Sequence, residues 1–362
     1  MHDSKEFFPF LAQLEIPPEW EAAALRFLEV GGVAMVLGGA DTGKSTLSRY
    51  LIYRAFTAGE PVALVDLDLG QSHLGPPAAL GLGLFPPRFP GDDGLFPEGL
   101  YFVGQTSPVG VILEVAVGCR SLVDLAQEEG ADRVVVNTCG LIKGPASFRL
   151  KGAKLELLRP RMILALDREG ELGPLLRSLV GEDADTVMVL PVSDRATGRP
   201  PEERRRYREE RFRRYFQKAR PLNLPFGSFG WQGLPWGQGQ PLKGVELEHF
   251  RHKLHAPVLY GEAQEQGTML LLTEPPQGDL SWVCAAGVQC LSWPALEGQL
   301  VGLQDKTHRT LALGLILPSP WDQGILTLLT PLPSSQAPRV GFLRMGKMKL
   351  TSEGRELPRI LS

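Results

Sequence analysis

Gly38-Gly39-Ala40-Asp41-Thr42-Gly43-Lys44-Ser45 decides how the rest of the chain is read. The apolar run Val33–Leu37 precedes it and the amphipathic run Lys44–Ala58 follows, so a G-x-x-x-x-G-K-[ST] loop stands between a strand and a helix. In that setting successive backbone N–H groups and the positive end of the helix cradle phosphates. The candidate nucleotide-binding residues are Gly38, Gly39, Ala40, Asp41, Thr42, Gly43, Lys44, Ser45 and Thr46. Lys44 is placed to reach the β- and γ-phosphates and the Ser45 hydroxyl to ligate Mg²⁺, so the pattern predicts ATP and Mg²⁺ as cofactors.

Outward from this loop, apolar runs at Pro61–Asp66, Leu100–Val103, Arg133–Asn137, Arg161–Asp167 and Thr186–Pro191 read as further strands. Most lack alternating polar residues, as strands covered on both faces do. Cys119–Glu129, Ala146–Leu158 and Leu172–Val180 read as helices between them. The βαβα pattern predicts an α/β fold: a doubly wound, mostly parallel sheet of P-loop NTPase type, with ligands at the carboxyl ends of the strands. Past the Gly/Pro/Trp-rich stretch 221–241, short runs at Thr268–Leu272, Trp282–Ala286, Thr310–Leu317 and Ile325–Leu329 read as a smaller β-rich C-terminal domain. The expected organisation is a short N-terminal segment 1–30, a P-loop domain 31–220, a linker 221–241 and a β-rich domain 242–362.

Two further segments carry chemistry. Val62-Ala63-Leu64-Val65-Asp66-Leu67-Asp68 ends in two carboxylates two residues apart, which face the same way at a strand end. One can support a Mg²⁺ shell while the other takes a proton from an attacking hydroxyl, an arrangement suited to a kinase with an alcohol acceptor. Arg199–Arg220 holds ten basic and four acidic residues in a chain of net charge −3. Its charge pattern suits either a solvated helix with Glu–Arg pairs or a lid whose arginines neutralise a transferring phosphoryl group.

Composition sets limits. With 38 Lys+Arg against 41 Asp+Glu over 362 residues, no global positive field advertises nucleic acid or membrane, so a basic site must be local. No stretch approaches 18 uninterrupted apolar residues, and Met1–Glu6 lacks the basic start of a secretory signal, so a cytoplasmic protein without membrane attachment is expected. Cys119, Cys139, Cys284 and Cys290 form no C-x-x-C pair and read as buried thiols. His249, His252 and His255 recur every three residues without acidic or thiol partners and read as a surface segment, and His73 as a loop residue.

Four motifs agree with one family. Asp66-Leu67-Asp68-Leu69-Gly70-Gln71 resembles the D-x-D-x-G-Q signature of the polynucleotide 5′-hydroxyl kinases related to eukaryotic pre-mRNA cleavage and ribosomal-RNA processing factors. Asn137-Thr138-Cys139-Gly140 resembles their N-T-x-G clasp, Gly104-Gln105-Thr106-Ser107-Pro108 their G-x-T-[ST]-P segment, and Arg208–Phe216 their R-x-x-R-x-R-x-Y-F lid. The resemblance covers about residues 31–216. It implies Asp68 as the carboxylate facing the 5′-hydroxyl, Asp66 as support of the Mg²⁺ shell, and Arg208 and Arg213 as lid arginines, with Lys44 completing the catalytic set. It implies Gln71, Thr106, Ser107, Thr138 and Gly140 on the acceptor side. Arg208 and Arg213 are five residues apart, about 140° around a regular helix. The implied activity is transfer of the γ-phosphate of ATP to the 5′-hydroxyl of RNA, with DNA ends left open as an acceptor. A small-molecule P-loop kinase and a non-catalytic ATP-binding adaptor of an RNA-processing complex are the alternatives.

Overall fold

The computed structural model describes residues 15–85, 97–180, 186–193, 196–234, 239–277, 281–320 and 324–358, with the Cys284 side chain outside that set. Met1–Glu6, on which the reading of the N-terminus rests, lies outside the described residues. Two compact units divide at Arg211/Phe212. Within the first, the elements are α1 (Pro18–Val30), β1 (Gly32–Gly38), α2 (Lys44–Thr57), β2 (Val62–Asp66), β3 (Ala79–Phe85), β4 (Gly99–Phe102), α3 (Ile112–Glu128), β5 (Arg133–Asn137), α4 (Pro145–Leu158), β6 (Met162–Asp167), α5 (Gly173–Leu179), β7 (Val187–Pro191) and the first part of α6 (Pro201–Phe216).

The strands lie in the order β4-β3-β2-β5-β1-β6-β7. β2, β5, β1, β6 and β7 are mutually parallel. Strand alternation sorts β1 onto two cores: Val33, Met35 and Leu37 pack with residues of α3, α4 and α5, whereas Ala34 and Val36 pack with α1 and α2. The doubly wound reading therefore holds, with β1 central and its loop at the carboxyl edge.

Three expectations are corrected within or beside this unit. β3 is a strand the pattern missed, antiparallel to both β2 and β4. Its sequence Ala79-Leu80-Gly81-Leu82-Gly83 is interrupted by glycines, and Gly81 is a packing requirement, since a Cβ there would stand 2.3 Å from the Leu74 carbonyl oxygen. The P-loop domain begins before residue 31, since α1 buries Trp20, Ala23, Ala24 and Phe27 in the core shared with α2. The boundary also falls earlier than residue 220, because α6 contributes buried Phe212, Tyr215 and Phe216 to the second unit.

That second unit is β-rich. The stretch 221–241 is no linker in its first part: β8 (Arg220–Pro225) pairs antiparallel with the strand Ile325–Thr330 and buries Leu222 and Leu224. Its prolines are tolerated because, among the described residues, β8 pairs on one side alone. The strand Gln299–Gln304 lies between the strands Thr310–Ile316 and Phe342–Leu350, around a core that holds Trp293 and Leu303. Tyr215 is pinned there, its hydroxyl accepting the Leu313 N–H at 2.9 Å. Trp282–Ala286, read as β-like, is instead covered by a one-turn helix, Ser281–Ala285; a short apolar run does not distinguish the two by periodicity. Cys119 and Cys139 are buried free thiols, whereas Cys290 is half-buried, unlike the expectation. Among the described residues no helix is long and apolar enough to cross a membrane.

Because Phe27 is fully buried under β1, Phe27→Ala should destabilise the first unit by about 3–5 kcal/mol. Denaturant titration followed by the first unit's Trp20 fluorescence checks this; a change below about 1 kcal/mol would mean that α1 is an appendage.

Candidate active site

β1 delivers the Walker loop at its carboxyl end. Gly43 lies at φ +90° and Asp41 at +53°, and α2 starts at Gly43 with no side-chain cap, so its first N–H groups face the loop. Thr42 Oγ1 donates to the Gly39 carbonyl at 3.1 Å, and the buried Lys44 ammonium donates to the same oxygen. Burial lowers the Lys44 pKa from its ordinary value, opposed mainly by Asp68.

The two aspartates separate sharply. Asp66 is fully buried and accepts four hydrogen bonds: from the backbone N–H groups of His73 at 2.7 Å and Asp68 at 3.2 Å, from Ser72 Oγ at 3.3 Å and from Asn137 Nδ2 at 3.0 Å. Burial, reinforced by Asp68, raises its pKa to about 6. Asn137 Nδ2 also donates to Ser45 Oγ at 3.2 Å, so one amide links the Walker loop to Asp66. Asp68 lines the open cleft; its Oδ1 accepts the N–H groups of Gly70 and Gln71, each at 3.0 Å, and its Oδ2 takes no hydrogen bond among the described residues.

The cleft, about 980 Å³, is walled by residues of the first unit alone. Ala40–Thr46 form its floor, Asp68, Gly70 and Gln71 one side, Thr106 and Ser107 the next, and Gly140 and Arg208 complete it. The 106–109 turn is shaped by buried Gln105, whose Nε2 donates to the carbonyls of Ser107 at 2.5 Å and Val109 at 2.7 Å. Gly140 approaches the floor so closely that a Cβ there would lie 2.7 Å from the backbone N of Ala40.

Five sequence candidates are not among the residues that line the cleft: Gly38, Gly39, the buried Asp66, Thr138 and Arg213. The Thr138 side chain is buried, donating to the Val36 carbonyl at 2.7 Å and accepting from Lys151 Nζ at 2.8 Å, so it pins the strand end behind the wall. Arg213 is exposed on the second unit's part of α6; the 140° between it and Arg208 separates them. Conversely, Arg199 and Arg204 line the cleft without having been singled out from their charge run, as do Arg49 and the N-terminal Glu15, Pro17 and Trp20. Trp20 is signalled only by its apolar spacing with Ala23 and Phe27, which reads equally as core. Lys151, fully buried, donates to the Cys139 carbonyl at 2.8 Å, and desolvation lowers its pKa to about 7.

A parallel sheet with a phosphate loop after its central strand, a buried acid on the neighbouring strand and a second acid in the cleft defines a P-loop nucleotide-binding protein. More narrowly, residues 38–218 match the family model described as the mRNA cleavage and polyadenylation factor CLP1 P-loop, and the chain belongs to that family. It is 29% identical to a polyribonucleotide 5′-hydroxyl-kinase of Pyrococcus horikoshii over 95% of this chain and 93% of that one. It is 31% identical to one of Thermococcus kodakarensis over 89% of each. A protein CLP1 homolog of Drosophila mojavensis is 30% identical over 56% of this chain and 48% of its own. A solved structure of the interface between Pcf11p and Clp1p shares the fold with a TM-score of 0.61 at 12% identity, covering 91% of this chain and 79% of that one.

The Gly140 contact yields a test. Gly140→Ala would press against the Ala40 backbone, so nucleotide affinity should fall about tenfold or more and the melting temperature should fall as well. Titration with a fluorescent ATP analogue reads the first and calorimetry the second.

Proposed function

We propose that the protein transfers the γ-phosphoryl group of ATP to the 5′-hydroxyl of a polyribonucleotide. The observation that carries this is Asp68, a carboxylate with one oxygen unengaged among the described residues, which lines one cleft with the Walker loop, Thr106, Ser107 and Gly140. The relatives that match nearly the whole chain support the acceptor, since they are named polyribonucleotide 5′-hydroxyl-kinases.

Asp68 Oδ2 would take the proton of the 5′-hydroxyl as its oxygen bonds to the γ-phosphorus and the bond to the β-phosphate oxygen breaks, releasing ADP. Lys44 and the α2 N-terminus would neutralise the phosphates, and Arg208 the charge spread over the transferring group. Gln71 and the 106–107 turn would position the acceptor strand. The residues present also fit Mg²⁺: Ser45 Oγ and the Asp66 carboxylate share one amide, and Asn137 Oδ1 is buried without a hydrogen-bond partner, as an acceptor for a metal-bound water would be. When bound, the ion would supply charge neutralisation at the β- and γ-phosphates.

Incubation with γ-labelled ATP and matched 5′-hydroxyl RNA, 5′-hydroxyl DNA and free nucleosides tests the reading; label on nucleosides alone would make this a small-molecule kinase, and label on nothing an adaptor. Asp68→Asn should lower kcat by about 10²-fold with ATP affinity kept. Loss of ATP affinity with kcat retained would instead make Asp68 a nucleotide ligand.

The raised pKa of Asp66 sets a pH window. Mg²⁺ would be held by the carboxylate form, which prevails above about pH 6 and gives way to the protonated form below it. The half-saturating Mg²⁺ concentration should therefore be flat at higher pH and rise about tenfold per unit below pH 6. A flat profile from pH 5 to 8, after allowance for protonation of ATP itself, would remove Asp66 from the metal shell.

A further inference from the structure

Binding of phosphates gives no reason for a carboxylate within the Walker loop, and Asp41 adds negative charge where ATP brings more. Its side chain is nevertheless only 13% exposed. Oδ2 accepts from Arg204 Nη2 at 2.6 Å and from the Arg199 backbone N–H at 3.0 Å. Arg168 Nη2 straddles the same junction, donating to the Asp41 carbonyl at 3.4 Å and the Ala196 carbonyl at 3.0 Å. Arg204 Nε is buried without a hydrogen-bond partner, which leaves Asp41 as the anion that fixes this guanidinium.

The same segment is tied at a second place. Arg199 Nη1 donates to Gln71 Oε1 at 3.3 Å, Tyr207 Oη to the Ser72 carbonyl at 2.9 Å and Arg211 Nη2 to the Gly75 carbonyl at 2.6 Å. The start of α6 is thus strung between the Walker loop, through Asp41, and the 71–75 loop. Arg204, Arg208 and Arg211 recur at i, i+4 and i+7 and share one helix face. Arg208, the member that lines the cleft, lies between two anchored neighbours.

We propose that Asp41 is the latch of the lid: a positioning residue that sets the reach of Arg208 by holding Arg199 and Arg204 on the phosphate loop. Its catalytic consequence rests on the kinase reading above; the latch itself does not. Asp41 differs from an ordinary nucleotide contact in the sign of its effect. Asp41→Asn removes a like charge beside the phosphates while leaving an oxygen for the Arg199 N–H. Nucleotide affinity should therefore hold or tighten while single-turnover transfer to a 5′-hydroxyl RNA falls about tenfold. Arg204→Gln should give the same loss, and the double variant no greater one, because the two act through one bond.

The experiment combines that double-mutant cycle with fluorescent-nucleotide titration and hydrogen exchange over residues 196–204, which should quicken in both single variants. Multiplicative losses, unchanged transfer or unchanged exchange would overturn the latch. A wild-type protein that fails to label 5′-hydroxyl RNA would overturn the kinase reading instead, and exchange and nucleotide affinity would still decide the latch. A merely structural Asp41 would lower melting temperature and nucleotide affinity together, which also refutes it.

Discussion

The site is organised around a carboxylate taken out of water. Asp66 ends a fully buried strand, and an isolated ionised acid there would cost several kcal/mol. Four donors offset that cost, one from Asn137 and three from the chain that follows the strand, at Asp68, Ser72 and His73. Asn137 brings in β5 and, through Ser45, the start of α2. His73 and Ser72 turn the following loop back over the strand end, where it meets β3 at Gly81 and receives the hydroxyl of Tyr207. Residual destabilisation of the charged form appears in the pKa near 6. A cation held near Ser45 would favour the charged form.

Much of this was legible because the chemistry is local in sequence. The Walker loop needs its glycines in order, and Asp66 and Asp68 sit two apart on one strand end, so spacing alone brought them to one place. Spacing did not divide their roles, which only the family resemblance implied; the structure adds that Asp66 is buried and that Asp68 lines the cleft. Thr138 shows the opposite failure. Its position at a strand end beside Gly140 suggests a contact with substrate, yet alternation turns its hydroxyl to β1 and Lys151. Arg199 and Arg204 were hidden within a run of ten basic residues, where one-dimensional spacing cannot select which guanidinium meets a carboxylate 163 residues away. β3 escaped for a related reason, since its glycines answer to a loop packed across it rather than to strand propensity.

The walls of the cleft differ in how they are held. Lys151, buried with a pKa near 7, binds the Cys139 carbonyl and the Thr138 hydroxyl, and Thr138 in turn binds β1. Nearby, the Lys154 ammonium is buried with no hydrogen bond, and Lys151 and Lys154 together lower the Cys139 pKa against the opposing effect of its burial. Such groups are costly to expose in part, so this wall and the phosphate floor, in contact at Gly140 and Ala40, behave as one piece. The lid is held otherwise. Arg199 is exposed, and its bonds to Asp41 and Gln71 are open to replacement by water, whereas the Arg204–Asp41 pair is part-buried. A rigid floor and wall with a more exchangeable arginine segment would suit phosphoryl transfer: the reacting oxygens would be positioned by the parts that cannot yield, and the charge that develops only in the transition state would be met by the part that can.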